Sequence, residues 1–121
     1  DGKPDCLCQM ALTRALFCQH LAQQLYPNTA NAFIVGLFSY LPAFFGESIE
    51  QLLEEIPLDE TVSLALTDFK GPLGHTLKLV QQYERGNWGE LDRLGNPKLD
   101  KEQLKNLYIE SIKQAKELQY I

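Results

Sequence analysis

The sequence predicts an all-α domain, a compact bundle of about seven helices with no sheet. Three observations carry this. Apolar residues recur at three- and four-residue steps through most of the chain. No segment alternates with period two between turn signals. Proline, glycine and capping residues fall between the periodic segments, so the connections are short. A chain of 121 residues is one domain and can bury one ordinary core.

The first helix runs from about Pro4 to Leu25. Leu7, Ala11, Ala15, Cys18, Ala22 and Leu25 share one face, widened by Leu12, Leu16 and Leu21. Pro27 ends it, because the residue before a proline is pushed out of the helical region. Asn28 and Thr29 are good capping types for the second helix, about Ala30–Phe44. That helix holds the most apolar window, Asn31–Gly46, NAFIVGLFSYLPAFFG. It is apolar nearly all round, which predicts a central helix surrounded by protein. Pro42 removes the amide that would bond the Phe38 carbonyl, so a kink is expected near Ser39–Leu41. Gly46 suits the left-handed residue that stops the helix. The uninterrupted apolar stretch is shorter than the roughly 20 residues a membrane span needs.

The third helix opens on a capping box, Ser48 with Gln51. Ile49, Leu52, Leu53 and Ile56 face inward, and Pro57 stops it. Asp59 caps the fourth, about Glu60–Phe69, which buries Val62, Ala65, Leu66 and Phe69. Gly71-Pro72 places proline in the first turn of the fifth, with Leu73, Leu77, Val80 and Tyr83 inward and Gly86 at its end. Asn87 with Glu90 caps a short sixth helix, Trp88–Leu94. Gly95-Asn96-Pro97 is a turn. Asp100 with Gln103 opens the seventh, which runs to about Leu118 on Leu104, Tyr108, Ile112, Ala115 and Leu118.

Charge and cysteine content narrow the function classes. Eleven Lys and Arg against sixteen Asp and Glu give a net charge of −5, and the cations are scattered. Neither nucleic acid nor an anionic membrane is an expected partner. Cys6, Cys8 and Cys18 are odd in number and irregular in spacing, so no disulfide framework is expected. The N-terminus DGKPDC is polar and no apolar signal region follows it, which fits a reducing, cytoplasmic setting. The chain opens at Asp1 without an initiator Met, as an excised piece of a longer protein would.

Motifs for chemistry are sparse. His20 and His75 lie on different helices, no HExxH is present, and Cys6-x-Cys8 is tighter than the usual zinc spacing and has no second pair. Glu47, Glu50, Glu54, Glu55, Asp59 and Glu60 read as a solvated acidic face with charges at helix N-termini. GxSxG, GxGxxG and GxxxxGK[ST] are all missing. No catalytic residue, metal ligand or cofactor is expected. Phe33, Phe38, Tyr40, Phe44 and Phe45 crowd the second helix, where helical spacing favours a core role over a ligand pocket.

Four segments carry a family resemblance: AFIVGLFSYLPAFFG, IPLDETVSLAL, GPLGHTLKLVQQYERGNW and LKNLYIESIKQA. Together they resemble the HDOD domain, the HD-related output domain of bacterial signalling proteins. They are most similar to the subgroup in which HDOD follows an EAL domain, the cyclic-di-GMP phosphodiesterase fold. The resemblance spans about Leu7 to Leu118 and implies an HD-like helical domain whose N-terminal helices are missing here. HD phosphohydrolases carry a pattern like A-F-x-x-G-L-L-H-D-I-G. Here Ala32, Phe33, Gly36, Leu37 and Phe38 match the scaffold, but Ser39 and Tyr40 stand at the metal-binding His-Asp positions. The upstream His position falls near Met10 in an ungapped alignment. Neutral Ser and Tyr are poor ligands where His and carboxylate are needed.

The resemblance therefore implies a non-catalytic signalling module acting by contacts. The partner would be its own EAL-type domain, another signalling protein or a second copy. Tyr83, Arg85 and Trp88 are the candidate interaction surface. Two alternatives are a divergent metal-dependent HD-type hydrolase using His20, the cysteines and the acidic helices, and a small-ligand sensor with a pocket beside the second helix.

Overall fold

The computed structural model describes residues 2–95 and 99–119, with side chains from residue 6 onward. Its eight helices are α1 (Gly2–Leu25), α2 (Ala32–Phe38), α3 (Leu41–Phe45), α4 (Ile49–Glu55), α5 (Glu60–Asp68), α6 (Gly71–Arg85), α7 (Trp88–Leu94) and α8 (Lys101–Gln119). No strand occurs among the described residues. The architecture is all-α and compact, as the periodicity predicts. In the predicted turn Gly95-Asn96-Pro97, Asn96 and Pro97 lie outside the described residues.

The extra helix comes from the predicted kink, which is a full break. Pro42 offers no amide to the helix ladder, and the chain tightens ahead of it: Tyr40 N–H bonds Leu37 O and Ala43 N–H bonds Tyr40 O, both three residues back. The break overturns the expectation that Asn31–Gly46 is a central helix surrounded by protein. α2 buries Ala32, Val35 and Gly36. α3 buries nothing, and Phe44 and Phe45 are 42% and 61% exposed. The central element is α1, which packs against α2, α6 and α8. An all-apolar pattern cannot distinguish a helix enclosed by its own domain from one left uncovered, because both lack a polar face.

The α1 face is broader than the predicted stripe. Phe17 is the largest fully buried side chain. Its ring lies 5.4 Å from Tyr83 and 5.3 Å from Tyr108, joining α1, α6 and α8 through edge and tilted aromatic contacts. The inward face of α8 follows the predicted stripe at Leu104, Tyr108, Ile112 and Ala115, gains Ser111 and loses Leu118. Leu104, Ser111 and Ala115 are buried, whereas Leu118 is 42% exposed. Small residues bring α8 close to α1, and the Ser111 hydroxyl is satisfied locally by donating to Leu107 O at 2.7 Å.

Most predicted helix boundaries have their physical signature. Ser48 and Gln51 form the reciprocal capping box, as do Asp100 and Gln103. The Asn87 side chain accepts from Glu90 N–H, and Gly46 and Gly86 end their helices at φ 68°. Two caps differ from expectation. Asp59 holds the N-cap position, but its carboxylate accepts from the Thr61 hydroxyl and caps no backbone amide. α2 starts after Asn31, in the left-handed region at φ 75°, and not after Asn28 or Thr29.

Close backbone approach is set by two glycines. A Cβ on Gly36 would sit 2.7 Å from Ala15 Cα and 2.8 Å from Arg14 O, so only glycine lets α2 lie directly on α1. A Cβ on Gly74 would meet the Phe69 backbone at 2.1 Å, which seats α6 on the end of α5. Among the described residues no single helix is long and apolar enough to cross a membrane, and α2–α3 meets α4 at 104°.

Gly36→Ala forces the α1–α2 contact apart and is expected to cost about 2–3 kcal/mol. Gly89→Ala, in open space within α7, should gain up to about 1 kcal/mol. Urea denaturation of the two variants reads the opposite signs.

Candidate functional site

The end of α2, held on α1 by Gly36, brings Ser39 and Tyr40 over Arg14. Arg14 Nη1 donates to Ser39 Oγ at 3.0 Å, and Ser39 Oγ donates onward to Gly36 O at 2.7 Å. The guanidinium carbon stands 4.0 Å from the centre of the Tyr40 ring, a stacked cation–π contact. From the opposite side, Glu84 of α6 takes Arg14 Nε at 3.1 Å and Nη2 at 2.6 Å, a two-pronged ion pair. Both partners are largely buried, with side chains 13% and 19% exposed. Three side chains, Ser39 and Tyr40 from the end of α2 and Glu84 from α6, thus meet at one cation.

This donor set does not fit a metal centre. Ser39 already donates one hydrogen bond and accepts another, Tyr40 presents its ring to a guanidinium, and the nearest charge is positive. A divalent cation beside Arg14 would meet repulsion and only one carboxylate, itself fully engaged. Among the described residues, no three His, Cys, Asp or Glu side chains converge as a metal-holding group.

The electrostatics follow from burial around that pair. Burial alone would lower the Arg14 pKa, but the hydrogen bonds and charge of Glu84 outweigh it and raise it. Burial raises the Tyr40 phenol, opposed by Arg14 and reinforced by Glu84. Burial also raises Tyr108, with Glu84 adding to the effect. The Cys18 thiol, fully enclosed below the pair, is pushed up strongly by burial, with Arg14 pulling it down and Glu84 pushing it up. Above the pair lies an open cleft of about 450 Å³ between α1, α6 and α8, into which Met10, Tyr40 and Tyr108 also face.

The other residues singled out in the sequence are dispersed. His20 Nε2 is 2.7 Å from Gln114 Oε1 and pins α1 to α8. His75 has a partner at each ring nitrogen. Its Nε2 donates to Leu94 O at 2.8 Å, which leaves Nδ1 to accept from the Tyr26 hydroxyl at 2.6 Å. It therefore ties the end of α7 to the chain leaving α1. Cys6 and Cys8 are exposed and Cys18 is buried. The acids Glu47, Glu50, Glu54, Glu55, Asp59 and Glu60 are all exposed. Of the candidate surface trio, Tyr83 packs into the core cluster while Arg85 and Trp88 are exposed. Trp88 lies 5.5 Å from the Tyr83 ring and is 46% exposed.

Sequence reasoning missed Arg14 and gave Glu84 no role. A signal was present: Arg14 is the last charged residue before Glu47 and belongs to a helix whose neighbouring positions are buried. A cation in such a place needs a carboxylate.

Two curated proteins resemble the chain. It is 42% identical over 88 residues to a Vibrio cholerae protein named cyclic di-GMP phosphodiesterase CdgJ, covering 71% of this chain and 20% of that protein. It is 32% identical over 105 residues to the uncharacterized protein YuxH of Bacillus subtilis, covering 86% of this chain and 25% of that protein. The chain thus spans a fifth to a quarter of the length of these relatives. It is related to part of a protein of cyclic-di-GMP signalling. No protein-family model and no solved structure matches it.

Arg14→Ala strands Glu84 in a mostly buried site and is expected to cost about 3 kcal/mol. Arg14→Lys should recover only part of this, since an ammonium cannot make both the two-pronged bond and the stack. Denaturant titration separates the two. The thiols give a second check. An aromatic disulfide reagent at neutral pH should titrate Cys6 and Cys8 at once, and Cys18 only on unfolding. A thiol raised in the folded state is protonated there when its unfolded counterpart ionises. Its contribution to stability is therefore full below the ordinary thiol pKa and falls as pH rises past it.

Proposed function

We propose that the chain is an HDOD-type helical module of a bacterial cyclic-di-GMP signalling protein. It is non-catalytic and acts by contact with an EAL-type domain of the same polypeptide. The observation that carries this reading is the Arg14 guanidinium fixed by Ser39, Tyr40 and Glu84. At the two positions where the HD pattern calls for metal ligands, Ser39 and Tyr40 instead hold the guanidinium of a structural ion pair. Similarity to one fifth of a protein named as a cyclic di-GMP phosphodiesterase supports the signalling context. In this reading the hydrolytic chemistry belongs to residues outside this segment.

The contact surface of the module is its uncovered apolar face. α3 carries Phe44 and Phe45 outward with no buried residue of its own, and exposed aromatic pairs of this kind mark protein contacts. Arg85 and Trp88, at the α6–α7 junction, offer a second exposed site rich in the residue types that anchor interfaces.

The test uses the isolated chain and the EAL-type domain of the same reading frame. Phe45→Glu should weaken their association by about tenfold or more, read by calorimetry. After incubation with manganese or iron and dialysis, the chain should retain no stoichiometric metal and turn over no cyclic di-GMP. One tightly held equivalent accompanied by turnover would overturn the non-catalytic reading. A homodimer dissolved by Phe45→Glu, with no EAL-type domain bound, would reassign the face to a second copy.

A further inference from the structure

We propose that the cleft above the Arg14–Glu84 pair binds a nucleoside monophosphate or an anion of the same chemistry, a planar ring bearing a phosphate. The first observation is charge. Three cations face this cleft, Arg14, Arg85 and Lys116, against the single carboxylate of Glu84. Both Glu84 oxygens are already taken by Arg14. Among the described residues neither Arg85 nor Lys116 makes an ion pair. This local excess of positive charge stands out on a chain of net charge −5.

The second observation is donor supply. A guanidinium carries five N–H groups, and Arg14 spends three of them on Glu84 and Ser39. The other two make no hydrogen bond among the described residues. Tyr40 and Tyr108 line the same space, and a phenol is a protonated donor at neutral pH. Gln9 is not available, since its amide donates to Thr13 and Ile112 and accepts from Gln119.

The third observation is shape and wall chemistry. At about 450 Å³ the cleft is within the range of small-molecule sites. Beside the cations it offers the Tyr108 ring, the Met10 thioether and Ile112. Inorganic phosphate would satisfy the cations and leave these walls bare. An unphosphorylated nucleoside would do the reverse. A ring joined to a phosphate uses both, and stacking on aromatic and thioether surfaces adds to the ion pairing.

The experiment is calorimetric titration of the isolated chain with GMP, AMP, guanosine and inorganic phosphate. A nucleotide should bind at least about tenfold more tightly than guanosine or phosphate. Raising salt should weaken it, as Arg85 and Lys116 are exposed. The double variant Arg85→Glu, Lys116→Glu should lose about tenfold or more in affinity with an unchanged thermal melt. If that melt moves, Lys116→Gln, which removes one exposed charge, serves in its place. No nucleotide binding at millimolar concentration, or equal binding by the variant, would overturn the proposal. Both outcomes are separate from the α3 contact with the EAL-type domain, which is read with Phe45→Glu, and Lys116→Gln alone spares Arg85 of the second contact site.

Discussion

The structure depends on the place where Gly36 rests on Ala15. With a Cβ excluded at 2.7 Å, the α1 and α2 backbones lie closer than any other residue at position 36 would allow. That approach does two things at once. It buries Ala32 and Val35 against the Phe17–Leu21 face of α1, and it delivers the last turn of α2 onto Arg14. A wider crossing would separate the Arg14 Nη1–Ser39 Oγ bond and the guanidinium–Tyr40 stack together, because both reach only 3.0–4.0 Å.

α1 is therefore a shared wall. One face supplies the core, through Phe17 and its contacts with Tyr83 and Tyr108. The neighbouring face supplies the cation that organises the cleft. Glu84 follows Tyr83 directly on α6, so the residue that packs on Phe17 also sets the position of the carboxylate that meets Arg14. A mostly buried ion pair of this sort adds little net stability over an apolar pair but is costly to break from one side. With Ser39 and Tyr40 it joins α1, the end of α2 and α6 at one point.

Much of the fold was legible because its signals are local. Ser48–Gln51, Asn87–Glu90 and Asp100–Gln103 cap the helices they were read to cap, since capping depends on residues three apart and on little else. The proline at position 42 broke the helix where a missing amide must break it. What misled was apolarity without a polar face. Asn31–Gly46 read as an enclosed helix, yet its second half is left open to solvent at Phe44 and Phe45. On α8 the stripe rightly included Leu104 and Ala115 but extended to Leu118, which is exposed, and passed over Ser111, which is buried. Periodicity ranks residues by hydrophobicity and cannot weigh how near two backbones come.

By itself the sequence determined that the domain is helical, where most of its helices begin and end, and that Ser39 and Tyr40 are neutral side chains. Those properties live in short-range chemistry: propensity, caps, missing amides and side-chain donor type. Only the tertiary structure decided what these two side chains hold. Arg14 and Glu84 are seventy residues apart in the chain, and neither belongs to a motif that names the other. A charge pair of that separation is chosen by the helix crossing that brings the two side chains together in a low-dielectric space. There they become obligatory partners, because water is no longer at hand to satisfy either one alone.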